Sequence, residues 1–312
     1  MKAFEFKLTD TATLTGICNL PPRSSSNQRL TPLIVGIHGG SYKSSYFHAD
    51  EKHTAKLSSD ALGVSFVAID RPCYGGSTSL LPIPSDSSFQ QELGTRLHQL
   101  ILPRIWTEFG QTSHCNCLVL NAHSLGAPGA IIASALHAEE HATTGKSSYP
   151  LGGLILSGFG TRQINPGFNP FEGINPPPTT INYPLDLKHQ MMLPYGTADA
   201  EIYEIGKKMD EPMPIQEMQI LYGLWLDPTW RSRWTNNVKV PVMIGLLGKD
   251  CFWVPTEEHL QEFIACFPGS PRRDGSIVQG APHCTELSHW SQGWYARCFG
   301  FAMECAESQT CP

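Results

Sequence analysis

A serine that separates an apolar run from a run of small residues is the feature that most constrains this chain. Residues 117–120 are apolar, Ser124 follows shortly after them, and residues 125–133 are small or apolar. The first run predicts a buried strand, and the second predicts a helix whose first turn can pack closely against a sheet. A turn this sharp holds a serine in a strained conformation with its hydroxyl exposed. Ser124 is therefore a candidate nucleophile.

Such a turn requires very small residues two positions before and two positions after the serine. These positions hold Ala122 and Gly126. The common pattern is G-x-S-x-G, so Ala122 departs from it by one methyl group at a crowded position. We expect a slightly wider turn around Ser124, and not the loss of the turn. The alternative role for a serine after a strand is that of a helix N-cap.

An aspartate and a histidine follow Ser124 in an order that is found in α/β-hydrolases. Residues 240–247 form a continuous apolar run, and Asp250 lies in the turn directly after it. Residues 276–278 predict a short strand, and the loop after it carries His283. The histidine would take the proton of Ser124 and return it to the leaving group, while Asp250 would hold the imidazole in the required tautomer. A turn or helix-capping role remains open for Asp250, because a helix candidate begins soon after it.

A glycine loop supplies candidate donors for a developing oxyanion. Residues 33–37 predict a strand that ends in His-Gly-Gly-Ser-Tyr. Glycines allow backbone N–H groups to turn inward without a β-carbon in the way. We assign the first donor to Gly40, with Ser41 close behind it, and the second to the N–H of Leu125 directly after the nucleophile. His38 is expected to brace this loop through hydrogen bonds.

The composition indicates a globular chain. Hydrophobic residues make up 41% and charged residues 16%, which excludes a disordered chain. The net charge of −6 gives no electrostatic reason to expect a nucleic-acid partner. No apolar run reaches the length of about 18 residues that a membrane span needs. Residues 1–7 alternate like a first strand and lack the apolar stretch of a secretory signal, so we expect a cytoplasmic location.

The ten cysteines are spaced irregularly. In a chain of this length without a secretory signal we expect them to be reduced. Their spacing matches no metal-binding pattern, so we expect neither a metal site nor an organic cofactor. Cys251 and Cys284 directly follow Asp250 and His283, and we expect both to be packing residues.

Strand and helix candidates alternate along the chain. The strand candidates are a pair within 3–19 and the segments 31–37, 64–69, 117–121, 152–157, 240–247 and 276–279. The helix candidates lie near 48–61, 87–108, 125–140, 256–267 and 289–307. This alternation predicts an α/β fold with a mostly parallel sheet that is covered by helices on both faces. Together with the order of Ser124, Asp250 and His283, it resembles the α/β-hydrolase fold, which implies a sheet of eight strands.

A long insertion, residues 160–237, interrupts this alternation. We expect it to form a cap over the active site, while residues 1–159 and 238–312 form the core. Two segments, 200–207 and 214–225, predict helices, and methionine, tyrosine and tryptophan give the insertion a large apolar surface. These side chains would either contact an acyl chain or only pack the cap onto the core. The candidates for substrate contact are Met218 and Trp225 in the cap, with Tyr42 and His123 near the oxyanion loop and the nucleophile.

Three segments carry a resemblance to a narrower group. HGGSY at 38–42, GKDCFW at 248–253 and GAPHCTELS at 280–288 resemble the corresponding segments of fungal natural-product hydrolases of the α/β-hydrolase superfamily. That group includes stand-alone thioesterases that release polyketide chains from the carrier protein of a highly reducing synthase. The resemblance carries over to Ser124, Asp250 and His283 as the catalytic residues.

The resemblance implies that Ser124 attacks a thioester and forms an acyl-enzyme. The expected partner is an acyl chain on the acyl carrier protein of a polyketide synthase, or a small-molecule thioester or ester. Water as the acceptor would give a free acid, and a hydroxyl of the same chain would give a macrolactone. Ring closure would be favoured by the high effective molarity of a folded, bound chain and by a cap that excludes water.

Two other classes of function remain open. A general carboxylesterase would use the same residues on small esters, and faster turnover of short nitrophenyl esters than of long thioesters would favour it. A non-catalytic ligand receptor on the same fold is the third hypothesis. Retention of ligand-dependent function after Ser124→Ala would support that hypothesis.

Overall fold

The computed structural model describes residues 1–22, 30–166, 179–218 and 229–308. Alternating apolar residues or continuous apolar runs form its strands. In these residues the strands are β1 (Lys2–Lys7), β2 (Thr13–Asn19), β3 (Pro32–Ile37), β4 (Ser65–Ile69), β5 (Cys117–His123), β6 (Leu151–Ser157), β7 (Thr180–Ile181), β8 (Met213–Pro214), β9 (Val242–Lys249) and β10 (Arg273–Pro282).

Eight of these strands form one sheet in the order β1-β2-β4-β3-β5-β6-β9-β10. Strand β2 is antiparallel to both β1 and β4. The remaining neighbours pair in parallel. The predicted α/β fold with a mostly parallel eight-stranded sheet is thus confirmed. Because β3, β5, β6, β9 and β10 run the same way, their carboxyl ends lie along one edge of the sheet.

The helices connect and cover these strands. They are α1 (Lys56–Leu62), α2 (Phe89–Arg96), α3 (Leu102–Ile105), α4 (Ala127–Thr144), α5 (Leu185–Met192), α6 (Ala200–Met209), α7 (Ile215–Met218), α8 (Trp230–Arg233), α9 (Glu257–Ala265) and α10 (Ser291–Ser308). Wider π-type turns follow α2 and α3, so the predicted helix near 87–108 is interrupted. Pro103 lies in this stretch and has no N–H to donate, which prevents a regular bonding pattern from continuing through it.

The predicted helix near 48–61 is wrong over its first half. The helix α1 begins only at Lys56, and a single 3₁₀ turn occupies Ser44–Phe47. Between them the Asp50 carboxylate accepts hydrogen bonds from the backbone N–H groups of Lys52 (2.8 Å) and His53 (2.6 Å). An aspartate that bonds to the backbone just after it offers those N–H groups an alternative to helical bonds.

Helices cover both faces of the sheet, as the residues of β3 show. Leu33, Val35 and Ile37 belong to one hydrophobic cluster, which includes residues of α2, α4 and α9. The intervening Ile34 belongs to a second cluster, which includes residues of α10. Successive side chains of a strand point to opposite faces, so this division places apolar cover on each side.

The chain between β6 and β9 contains short elements. Strands β7 and β8 form a separate antiparallel pair, and the helix predicted at 200–207 is α6. The helix predicted at 214–225 is seen at Ile215–Met218, and its continuation lies outside the described residues. No helix in the described ranges is long and apolar enough to cross a membrane.

Candidate active site

Ser124 lies at the sharp connection between β5 and α4. It begins a single 3₁₀ turn, Ser124–Gly126, and its φ of +51° lies in the left-handed region that non-glycine residues rarely adopt. A β-carbon on Gly126 would lie 2.7 Å from the Ile37 carbonyl oxygen and 2.6 Å from that of His38. The absence of a side chain at Gly126 therefore lets this turn pack against the end of β3. The strain at Ser124 is of the kind that structures hold at functional sites.

A hydrogen-bond chain joins the three candidate catalytic residues. His283 Nε2 lies 2.9 Å from Ser124 Oγ, and His283 Nδ1 lies 3.0 Å from each carboxylate oxygen of Asp250. The three residues follow β5, β9 and β10, whose carboxyl ends share one edge of the sheet. With the hydrogen on Nδ1 donated to Asp250, Nε2 is free to accept the hydroxyl proton of Ser124.

Asp250 is itself held by its own turn. Its Oδ1 accepts backbone hydrogen bonds from Phe252 (2.8 Å) and Trp253 (3.3 Å). Asp250 is 7% exposed and His283 is 1% exposed. These bonds orient the carboxylate toward the imidazole, so one aspartate serves both the turn and the histidine.

His38 braces the glycine loop. Its Nδ1 donates to the Gly39 carbonyl (2.7 Å), and its Nε2 accepts from the Arg71 N–H (3.0 Å). Burial, and then the nearby Arg71 charge, hold the pKa of His38 well below its usual value, so the ring is neutral. The Gly39 carbonyl and the Gly40 N–H belong to one planar peptide unit. The bond to His38 therefore also fixes the direction of the Gly40 N–H.

Gly40, Ser41 and Leu125 all lie beside Ser124 at the wall of one cavity. A β-carbon on Gly40 would lie 2.5 Å from Met213 Sδ and 2.8 Å from Leu125 Cδ1, so any other residue would displace these two side chains. Gly40 and Leu125, with Ser41 beside them, are therefore placed at the wall where the oxyanion donors are predicted.

Ser41 is held in a strained conformation. Its φ is +60°, and its carbonyl oxygen accepts from Lys188 Nζ (2.5 Å) and from the Glu211 N–H (3.2 Å). Lys188 also contacts Asp210 (2.6 Å). Residues inserted between β6 and β9 therefore hold the glycine loop from the side of the insertion.

The cavity next to Ser124 is small, with a volume of about 40 Å³, and its wall is largely apolar. The wall residues that follow β6 and β9 in the core are Phe159, Phe252 and Trp253, and those from the insertion are Tyr183, Met192, Met213 and Met218. The sequence patterns did not predict that Phe159, Phe252 or Trp253 would line the cavity. The signal that could have found them is their place directly after the carboxyl ends of parallel strands.

The four candidates for substrate contact are placed differently. Met218 lines the cavity, whereas Tyr42 and His123 are buried and are not part of its wall. Lys188 Nζ lies 3.6 Å from the centre of the Tyr42 ring, and the centre of the His123 ring lies 5.0 Å from that of His283. Tyr42 and His123 therefore support the site from within the core, and their contact with substrate stays a prediction. Trp225 lies outside the described residues.

Asp250, Cys251 and His283 offer three atoms that lie within 4.8 Å of one another. A metal site would need the thiolate form of the cysteine. Burial raises the pKa of the Cys251 thiol, and both carboxylate oxygens of Asp250 already contact His283. This arrangement suits proton transfer better than metal ligation.

The fold and this strand-end site define a hydrolase-type α/β protein. A model of the alpha/beta hydrolase family matches residues 34–296. The chain belongs to the α/β-hydrolase family. A comparison with curated proteins finds no match.

Solved structures share this fold over nearly the whole chain. A putative lipase from Acinetobacter baumannii is 13% identical, with a TM-score of 0.64 and coverage of 98% of this chain and 92% of that one. A monoglyceride lipase from Saccharomyces cerevisiae is 16% identical, with a TM-score of 0.60 and coverage of 99% and 96%. The thioesterase domain from the curacin biosynthetic pathway is 14% identical, with a TM-score of 0.60 and coverage of 97% and 99%. Identities this low establish similarity of fold.

Proposed function

We propose that this protein is a serine-dependent acyl-transfer enzyme that acts on thioesters or esters. The observation that carries the proposal is the continuous hydrogen-bond chain from Asp250 through His283 to Ser124, which ends beside an apolar cavity. A nucleophile, a base and a group that orients the base are the parts that covalent acyl transfer requires.

In the first half of the reaction, Ser124 Oγ attacks the acyl carbonyl carbon and its proton passes to His283 Nε2. Asp250 stabilises the imidazolium, and the N–H groups of Gly40 and Leu125 bind the oxyanion. When the tetrahedral intermediate collapses, the bond to the leaving thiol or alcohol breaks and His283 gives the leaving group its proton. The acyl group is then an ester of Ser124.

In the second half, an acceptor hydroxyl attacks the acyl-enzyme while His283 removes its proton. Water as the acceptor gives a free acid, and a hydroxyl on the acyl chain gives a macrolactone. The tetrahedral intermediate then releases Ser124, which regains its proton from His283. We propose that residues 160–237 act as a cap that limits access of water, which favours ring closure when a chain hydroxyl lies near the ester.

The proposed substrate is a polyketide acyl chain bound as a thioester to an acyl carrier protein. The resemblance of segments 38–42, 248–253 and 280–288 to fungal natural-product hydrolases supports this choice. The apolar cavity wall supports an acyl chain as the bound group, since apolar surface favours hydrocarbon. One protein that shares the fold is a thioesterase domain of a biosynthetic pathway.

The cavity also supports a second candidate, a carboxylesterase for small-molecule esters. Its volume of about 40 Å³ is small, which favours a short acyl group over a long one. The two candidates share the acyl-enzyme and differ in chain length and leaving group. Relative turnover of a short nitrophenyl ester and a long thioester would therefore separate them.

The test is intact mass spectrometry of the wild-type protein and Ser124→Ala after mixing with a long hydroxyacyl thioester of N-acetylcysteamine, with the released product analysed in parallel. We expect an acyl adduct on the wild-type protein and none on Ser124→Ala. The mass of the product distinguishes the free acid from the lactone. Ser45→Ala is the matched control, because the Ser45 hydroxyl is buried, has no hydrogen-bond partner among the described residues and lies outside the cavity wall.

An adduct that persists in Ser124→Ala would point to acylation of a thiol and would contradict the proposed nucleophile. Rapid Ser124-dependent turnover of the nitrophenyl ester, with none of the thioester, would favour the carboxylesterase. Ligand binding without any Ser124-dependent product would favour a receptor.

A further inference from the structure

A second carboxylate is buried three residues after His283. Glu286 lies in the 3₁₀ turn Thr285–Leu287, and its side chain is fully buried. Its Oε2 accepts a hydrogen bond from the Tyr46 hydroxyl (2.6 Å), and its Oε1 accepts from Trp294 Nε1 (3.1 Å) and from the Ser157 hydroxyl (3.2 Å). Among the ion pairs of the described residues, none joins Glu286 to a lysine or an arginine. Burial of a carboxylate without a cation is costly unless hydrogen bonds compensate for it.

Glu286 is connected to His283 through two residues. His123 Nδ1 lies 3.0 Å from Ser157 Oγ and 3.6 Å from Glu286 Oε2. The centres of the His123 and His283 rings are 5.0 Å apart, and the Tyr46 ring stacks on His123 at the same distance. A path of direct contacts therefore leads from the buried carboxylate to the base beside Ser124.

The backbone near this path leaves room for the two imidazoles. Gly158 has a φ of +58°, and a β-carbon there would lie 2.6 Å from His123 Cε1 and 3.1 Å from His283 Cε1. Any other residue at this position would displace one of the rings. The contact between His123 and His283 thus depends on a glycine in the left-handed region.

The donors around Glu286 favour its ionised form. Trp294 Nε1 can only donate, so the carboxyl group must accept there. The 2.6 Å contact with Tyr46 has the length of a charge-assisted O–H···O⁻ bond. On balance burial raises the pKa of Glu286, and the bonds from Tyr46, Ser157 and Trp294 limit that rise. Burial also holds the pKa of His123 well below its usual value. His123 is therefore neutral and places no charge between Glu286 and His283.

We propose that Glu286 is a positioning residue that, as a carboxylate, stabilises the protonated form of His283 through Ser157 and His123. This inference rests on the proposed function, because the imidazolium of His283 forms when Ser124 attacks the substrate. No proton passes to Glu286 in this role. The proton from Ser124 stays on His283 Nε2 until the leaving group takes it.

Other ionisable groups face the two ends of this path. Glu286 is faced by Tyr46, His123, Cys284, Tyr295 and Cys298. Burial raises the pKa of each of these tyrosines and cysteines, so they are neutral near pH 7. His283 is faced by Asp250, by His123 and by Cys251, whose thiol pKa is raised by burial. His38 and Arg71 also act on His123. Arg71 is paired with Glu217. Replacement of Glu286 therefore removes one negative charge and leaves its ionisable neighbours in place.

The test compares the pH titration of His283 in the wild-type protein and in Glu286→Gln by NMR of protein labelled in histidine. The His283 signal is assigned by its loss in His283→Gln. We expect the midpoint of this titration to move to lower pH by about one unit, which is the order of effect of one charge beyond direct contact at an effective dielectric constant of about 20. The acid limb of the pH profile of kcat/KM should move the same way, and kcat should fall about tenfold.

The matched control is Thr285→Val, which removes a buried hydroxyl from the same turn without changing charge. This hydroxyl has no hydrogen-bond partner in the part of the chain that the structure describes. Its His283 midpoint should equal that of the wild-type protein. If Glu286→Gln does not fold, Tyr46→Phe replaces it, because loss of the donated bond favours protonation of Glu286 and should lower the His283 midpoint to a smaller degree.

An unchanged midpoint in Glu286→Gln, or in Tyr46→Phe when that variant replaces it, would overturn the proposal, as would an equal shift in Thr285→Val. The NMR titration needs no catalytic activity. Failure of the proposal about Glu286 can therefore be distinguished from failure of the proposed function, which would appear as the absence of a Ser124-dependent adduct.

Discussion

The catalytic residues and the inserted region that borders the cavity are built in different ways. Ser124, Asp250 and His283, which we call the floor of the site, follow strands of seven to ten residues. These strands belong to one sheet with apolar cover on both faces. The inserted region is described at 160–166, 179–218 and 229–237, and these residues contain four helices, α5 to α8, and two strands of two residues each. Long strands of one sheet hold catalytic atoms precisely, while short elements are suited to the shaping of a cavity wall.

The inserted region is attached to the core through charged groups. Glu217 is fully buried and contacts both Arg71 and the Tyr74 hydroxyl, and its backbone oxygen accepts from Gln90 (2.8 Å). Lys188 reaches the carbonyl oxygen of Ser41. Buried polar contacts of this kind are costly when one partner is lost. The comparison therefore predicts that a few side chains control how the inserted region is held.

The largest effect is expected on the floor. Ser124→Ala and His283→Ala should each lower kcat by about 10⁶-fold, and Asp250→Ala by about 10⁴-fold, because the aspartate acts only through the histidine. Single-turnover kinetics with a thioester would measure these losses. Activity of Asp250→Ala equal to that of the wild-type protein would contradict the role of the acid.

The attachment of the inserted region is tested by Glu217→Ala. This change leaves the Arg71 guanidinium buried without its carboxylate, so the free energy of unfolding should fall by about 3–5 kcal/mol in urea denaturation. The matched control is Glu211→Ala, which breaks the partly exposed pair with Lys43 (2.7 Å) and should cost about 1 kcal/mol or less. Equal losses in the free energy of unfolding would show that the buried pair of Glu217 and Arg71 contributes no more to stability than the partly exposed pair of Glu211 and Lys43.

The smallest effect is expected at the cavity wall. Met218→Ala enlarges the cavity, so the ratio of kcat/KM values for a longer and a shorter acyl chain should rise by about tenfold or more, while the Ser124 adduct still forms. Met303→Ala, on α10 and outside the cavity wall, should leave the ratio unchanged. A ratio that is the same in both variants would indicate that Met218 does not contact the acyl chain.

The floor could be inferred from local patterns because each of its residues directly follows a strand. Apolar runs predicted β5 and β9, and the sharp turns after them predicted the places of Ser124 and Asp250. The wrong helix prediction at 48–55 also has a local cause. There the Asp50 side chain competes for backbone N–H groups, and a search for helical periodicity does not take this competition into account.

The sequence by itself determined the strands, their mostly parallel arrangement and the order of Ser124, Asp250 and His283, because these depend on residues that are close along the chain. Only the tertiary structure decided that Met218 faces the cavity while Tyr42 and His123 do not. It also decided that Glu286 meets Tyr46, which lies 240 positions earlier. Contacts between distant segments depend on how helices and strands pack together, and no short-range periodicity encodes that packing.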